Sequence, residues 1–128
     1  MKFLSFKTPT QVESFGILVQ DGVIDLGTRV SSIPDLREWI ESGNAIAEAS
    51  KFLADKPDWT LDQLELLPVI KNPRTIACVG HNYEDHRVET QRDPTQFPSI
   101  FTRTAESLQG AGQAMLIPRE SEQFDYEG

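Results

Sequence analysis

The alternation of apolar and polar residues changes character along the chain. "KFLSFKT" alternates, as a half-buried strand does. In "SFGILVQDGVIDL" two apolar runs flank Asp21-Gly22, the chemistry of a hairpin turn. Together these stretches predict a small antiparallel sheet at the N-terminus. Helical spacing follows. Ser32 is placed as a cap with Asp35 in the capping-box position, Pro34 suits a first turn, and Leu36, Trp39 and Ile40 share one face before Gly43. A second helix is predicted over 45–55, with Ile46, Ala49 and Leu53 turned inward, Asn44 ahead of it and Pro57 beyond. Trp39 and Trp59 are read as packing residues. Pro68 and Pro73 then bracket a connection, and "TIACV" reads as a strand buried on both faces that ends at Gly80. Beyond it, "DPTQFPS" is a loop, "IFTR" a short strand, and "LQGAGQAMLIP" a glycine turn leading into another strand.

The pattern divides the chain at residue 70. Residues 1–70 form an N-terminal α/β domain, and 71–128 begin a β-rich domain without its closing elements. The expected fold class is α+β.

Composition narrows the function classes. The 128 residues carry a formal net charge of −8. The 12 Lys and Arg are scattered, so no basic face is expected to replace the counterions of a nucleic acid or an anionic membrane. No apolar run reaches transmembrane length, and the apolar stretch in "MKFLSFKTP" is too short for a secretion signal. A single cysteine, Cys78, excludes an internal disulfide and suits a reducing compartment. The expected location is cytoplasmic.

Both histidines fall in "GHNYEDHRVE", directly after the strand that ends at Gly80. His86 and Glu89 have i, i+3 spacing, which puts both on one face of a helical turn. A carboxylate there can orient an imidazole that takes a proton from water. The same spacing also describes an ordinary solvated pair. His81, directly after Gly80, is the competing candidate; His86 is preferred for its carboxylate partner Glu89. Zinc is disfavoured, because His81, His86 and Cys78 do not supply four closed ligands. Asp125 and Glu127 face one side of an extended segment and suit a hard cation such as Mg²⁺, or simply an acidic strand end in solvent.

With these residues in view, the second half of the chain resembles the fumarylacetoacetate hydrolase family. Its pattern is a strand ending in G-x-N-Y-x-x-H-x-x-E, matched by Gly80, Asn82, Tyr83, His86 and Glu89. Phe101, Arg103, Ser107, Leu108, Gly110 and Gly112 match the middle, and Pro118, Asp125, Tyr126 and Glu127 the end. The resemblance implies the opening of a mixed β-roll catalytic domain, incomplete here, behind a variable N-terminal domain. It implies a hydrolase or decarboxylase acting on C–C bonds of acylpyruvate-like oxo acids, as in aromatic catabolism, or an isomerase of related compounds. His86 and Glu89 would be the catalytic dyad that activates water. Arg103, Tyr83 and Ser107 would bind substrate, Arg103 standing where the family often has Lys. Glu127 would be the first ligand of Mg²⁺ or Mn²⁺, and the enzyme would be a homodimer. The family's second metal Glu, a later Asp and a later Lys have no counterpart within residues 1–128. The expectation is therefore that this stretch alone is inactive. The alternative is a non-catalytic α/β or assembly module.

Overall fold

The computed structural model describes residues 1–91, 93 and 96–122, with His86 described by its backbone only. The described elements are α+β, with antiparallel sheets and short helices. Strands β1 (Lys2–Lys7), β2 (Glu13–Val19), β3 (Gly22–Asp25) and β4 (Glu65–Leu67) form one antiparallel sheet in the order β3-β2-β1-β4. Helices α1 (Leu26–Arg29), α2 (Leu36–Glu41) and α3 (Ala45–Ser50) lie between β3 and β4 in sequence. A second, two-stranded sheet pairs β5 (Ile76–Gly80) with β6 (Ser99–Arg103), and α4 (Glu84–Glu89) lies between them in sequence.

The chain clusters into two compact units. One comprises residues 1–69 with the described part of 109–128; the other is 70–108. Among the described residues, no helix is long and apolar enough to cross a membrane.

The first unit holds the core. Alternation along β1 and β2 turns Phe6, Phe15 and Ile17 inward, where they are buried with Val23, Ile24, Leu26, Leu36, Trp39 and Ala49. The Phe15 and Trp39 rings meet at 5.9 Å with a 48° tilt. Burying a large apolar side chain contributes about 1.5–3 kcal/mol, so this cluster is the main source of stability for the sheet. The β2–β3 register pairs Val19 with Gly22, so the turn is Gln20-Asp21, one residue earlier than Asp21-Gly22. Gly22 explains the shift: a Cβ there would sit 2.3 Å from the Trp59 carbonyl oxygen, on a segment that bridges to Val23.

Several expectations differ from the structure. Helix α2 is capped by Asp35, whose carboxylate accepts from the Glu38 amide at 2.9 Å, and not by Ser32. An aspartate next to the first helical residue satisfies an otherwise orphaned N–H directly. Helix α3 stops at Ser50 and relaxes into turns, with Phe52 N–H donating to the Ala49 carbonyl. Only Ala49 of its expected inward face is buried; Ile46 is 67% exposed and Leu53 48%. Strand β5 is half-buried and exposed in alternation, not buried on both faces. Among the described residues its unit provides a single partner strand, and none of the buried apolar residues named above lies within it. No strand forms over 113–118.

Candidate functional site

The sequence around β5 forms a strand, a tight reversal and a helix. At the reversal His81 takes φ 53°, the left-handed region. Histidine tolerates that region better than bulky or β-branched residues do. Gly80 is not what the turn requires: a Cβ there would meet Phe101 at an ordinary 3.5 Å. The strained position in this loop is therefore His81, which sequence reasoning treated only as a competing catalytic residue.

Helix α4 carries Glu84, Asp85, His86 and Glu89. Its first turn is closed by Arg87 N–H donating to the Tyr83 carbonyl at 3.1 Å. Glu84 and Arg87 pair at 3.3 Å with i, i+3 spacing, an interaction not anticipated from the sequence although its spacing was there to read. His86 and Glu89 have the same spacing on the same helix. The side chain of His86 lies outside the described residues, as does the whole of Glu127 with Asp125 and Tyr126. The Tyr83 side chain is 75% exposed.

The remaining candidates lie along β6 and just after it. Pairing sets Gly80 opposite Ser99 and Ile76 opposite Arg103. At about 3.4 Å per residue, Arg103 is roughly 13 Å along the hairpin from the end that leads into α4. Its guanidinium stacks on Phe101, 5.2 Å from the ring centroid, which holds it against the sheet. Ser107 closes a short 3₁₀ turn, with its hydroxyl donating to the Thr104 carbonyl at 2.8 Å. The hydroxyl oxygen retains acceptor capacity.

The glycines of the G-x-G signal serve the other unit. A Cβ on Gly110 would sit 2.0 Å from the Leu66 carbonyl oxygen, and Gly112 adopts φ 79°. Gln113 accepts from the Gly110 amide at 3.2 Å and donates to Glu65 at 3.0 Å. This turn is thus docked on β4.

Among the described residues, no three His, Cys, Asp or Glu side chains gather as a metal site would require. The described part by itself does not fit a divalent cation.

Residues 75–128 match the family model for the fumarylacetoacetate hydrolase C-terminal region. The chain belongs to the fumarylacetoacetate hydrolase family. Along 132 residues, 99% of this family member, it is 33% identical to a Xenopus laevis protein named oxaloacetate tautomerase fahd2, mitochondrial. It is 30% identical over 103 residues to the Bacillus subtilis oxaloacetate tautomerase YisK, a match covering 77% of the chain. A Mycobacterium smegmatis crystal structure described as that of an HpcE protein shares the fold, with TM-score 0.72 over 92% of this chain at 21% identity. This chain spans 41% of the Xenopus protein, 32% of YisK and 41% of the Mycobacterium chain.

Proposed function

We propose that this chain supplies part of the catalytic machinery of an enzyme acting on a small oxo acid. The activity is proposed for a protein in which these residues are joined to the remainder that the relatives have. The observation that carries the reading is the H-x-x-E pair on α4, in the stretch where relatives named as oxaloacetate tautomerases align. Those names favour proton transfer next to a carbonyl over C–C cleavage. In that reaction His86, oriented by Glu89, takes a proton from the carbon beside the keto group. The carbonyl oxygen receives a proton, and keto acid becomes enol with no atom gained or lost. In the cleavage branch, the same pair would deprotonate water, hydroxide would add to the carbonyl, and the departing enolate would take up the proton.

Arg103 is proposed to meet the substrate carboxylate, because its fork matches two oxygens. Tyr83 and Ser107 are proposed to supply hydroxyl contacts. Glu127 is proposed as one oxygen ligand of a divalent cation, Mg²⁺ or Mn²⁺. A homodimer in a reducing compartment completes the reading; the lone Cys78 supports the compartment.

The test uses the protein with the remainder present, assayed for oxaloacetate keto–enol exchange, oxaloacetate decarboxylation and acylpyruvate cleavage. His86→Ala is expected to lower kcat by about 10²–10⁴-fold, the range of a lost general base. His81→Ala should leave most of the rate. The reverse result assigns the role to His81. Acylpyruvate cleavage without keto–enol exchange moves the reading to the hydrolase branch. Glu127→Gln should weaken Mg²⁺ binding and activity together, and full activity in excess chelator removes the cation from the reaction.

A further inference from the structure

We infer, on the reading of Arg103 as the residue that meets the substrate carboxylate, that Phe101 is a positioning residue which fixes where along the β5–β6 hairpin that carboxylate is met. Pairing sets Gly80 opposite Ser99, Cys78 opposite Phe101 and Ile76 opposite Arg103. Alternation puts all six on one face of the hairpin. That face is half-buried at Cys78, Gly80 and Phe101, whereas Val79 and Ile100, on the other, are exposed.

The Phe101 ring leans along this face toward Gly80. Its Cε1 lies 3.5 Å from where a Cβ on Gly80 would be. Arg103 reaches the same ring from the other side, with its guanidinium carbon 5.2 Å from the ring centroid. In register, the Arg103 backbone is roughly 13 Å from the Gly80 end of the hairpin, and the Phe101 backbone roughly 7 Å. Stacking therefore carries the charge back along β6, toward the end of β5 that leads into α4.

The ring suits this task. Its face is the negative part of the aromatic quadrupole and attracts a cation. A guanidinium carries its five N–H donors in its edge, and stacking uses none of them. The stacked group can thus still present its fork to a carboxylate. Without the ring, the long Arg103 side chain would sample more rotamers, and binding would bear the entropy of fixing one. The carboxylate is held in substrate and transition state alike, so the effect falls on KM and not on kcat.

Steady-state kinetics of the protein with the remainder present, using oxaloacetate for keto–enol exchange and acetylpyruvate for cleavage, test this. Phe101→Leu keeps an apolar strand residue and removes the quadrupole. It should raise KM by about two- to fivefold, the strength of an exposed cation–π contact, with kcat unchanged. Phe101→Tyr should keep the wild-type KM. In an Arg103→Gln background, Phe101→Leu should have no further effect. Independently of turnover, the ring current should shift the Arg103 Nε–H proton upfield in the wild type and in Phe101→Tyr, and Phe101→Leu should abolish that shift. An unchanged KM in Phe101→Leu, an equal rise in Phe101→Tyr, the same rise in the Arg103→Gln background, or no ring-current shift would each overturn the proposal and leave the role of Arg103 standing. A wild-type KM in Arg103→Gln alone would overturn the reading of Arg103, and the proposal with it.

Discussion

Three residues show how differently a single position can be constrained. Gly110 is fixed by contact: its missing Cβ leaves room for the Leu66 carbonyl, 2.0 Å from where that carbon would be. Gly43 is fixed only by its backbone, at φ 82° with open space around it. Gly43→Ala should therefore cost about 1 kcal/mol, the penalty of a left-handed non-glycine. Gly110→Ala should cost more, about 2–4 kcal/mol, because β4 and the glycine turn must separate. Parallel urea denaturation of both variants checks the order. His81 presents the intermediate case, a non-glycine already at φ 53°. His81→Val should destabilise the β5–α4 turn more than His81→Gly, as read by amide exchange around Asn82. That comparison matters for interpreting catalytic mutants, since replacing His81 alters backbone preference as well as imidazole chemistry.

At the scale of elements, local chemistry was legible and long-range pairing was not. The β2–β3 hairpin, the helix containing Trp39, and the β5 and β6 strands all followed from spacing and turn residues. Strand β4 went unread because "ELL" is too short to show a period; it is a strand because β1 offers it a free edge. Helix α1 was missed for a similar reason. It is four residues held by Asp25, which caps Thr28 N–H and is itself fixed by residues 58–59. In the candidate site, the sequence located the strand that ends at Gly80 and read 86–89 only as a helical turn; it revealed neither the extent of helix α4 nor the left-handed backbone of His81, which no periodicity encodes. The Arg29–Asp58 pair, 29 residues apart, was equally invisible. Burial opposes ionisation of Asp58, yet the Arg29 hydrogen bond and the Asp25 amide outweigh it and hold the carboxyl below its ordinary value. The folded state therefore binds fewer protons than the unfolded state just below the ordinary aspartate range. The stabilisation is complete above that range and is lost as pH falls through the folded value. Asp58→Asn should flatten the acid limb of a stability-versus-pH curve while lowering stability at neutral pH. An unchanged acid limb would mean that other carboxylates set it.

At the scale of the whole molecule, the chain leaves the first unit after residue 69 and returns to it at 109. The return is fastened by Gln113 donating to Glu65, across 48 residues of sequence. Closing such a tether carries an entropic cost that rises with the logarithm of its length. The β5–β6 hairpin changes that length, because Ile76 faces Arg103 and the residues between them are bypassed. The free tether is then shortened by more than half, which is worth about 0.6 kcal/mol per halving. The two units are thus thermodynamically linked through chain connectivity alone, as two knots on one string are. Phe101→Pro, which breaks the hairpin, should raise amide exchange at Gly110 by about two- to threefold, the equivalent of that cost. No change at Gly110 would mean that the glycine turn closes on β4 without help from the hairpin. If exchange at Gly110 does rise, the hairpin acts as a length regulator, and substitutions within one unit are felt in the other through the chain that joins them.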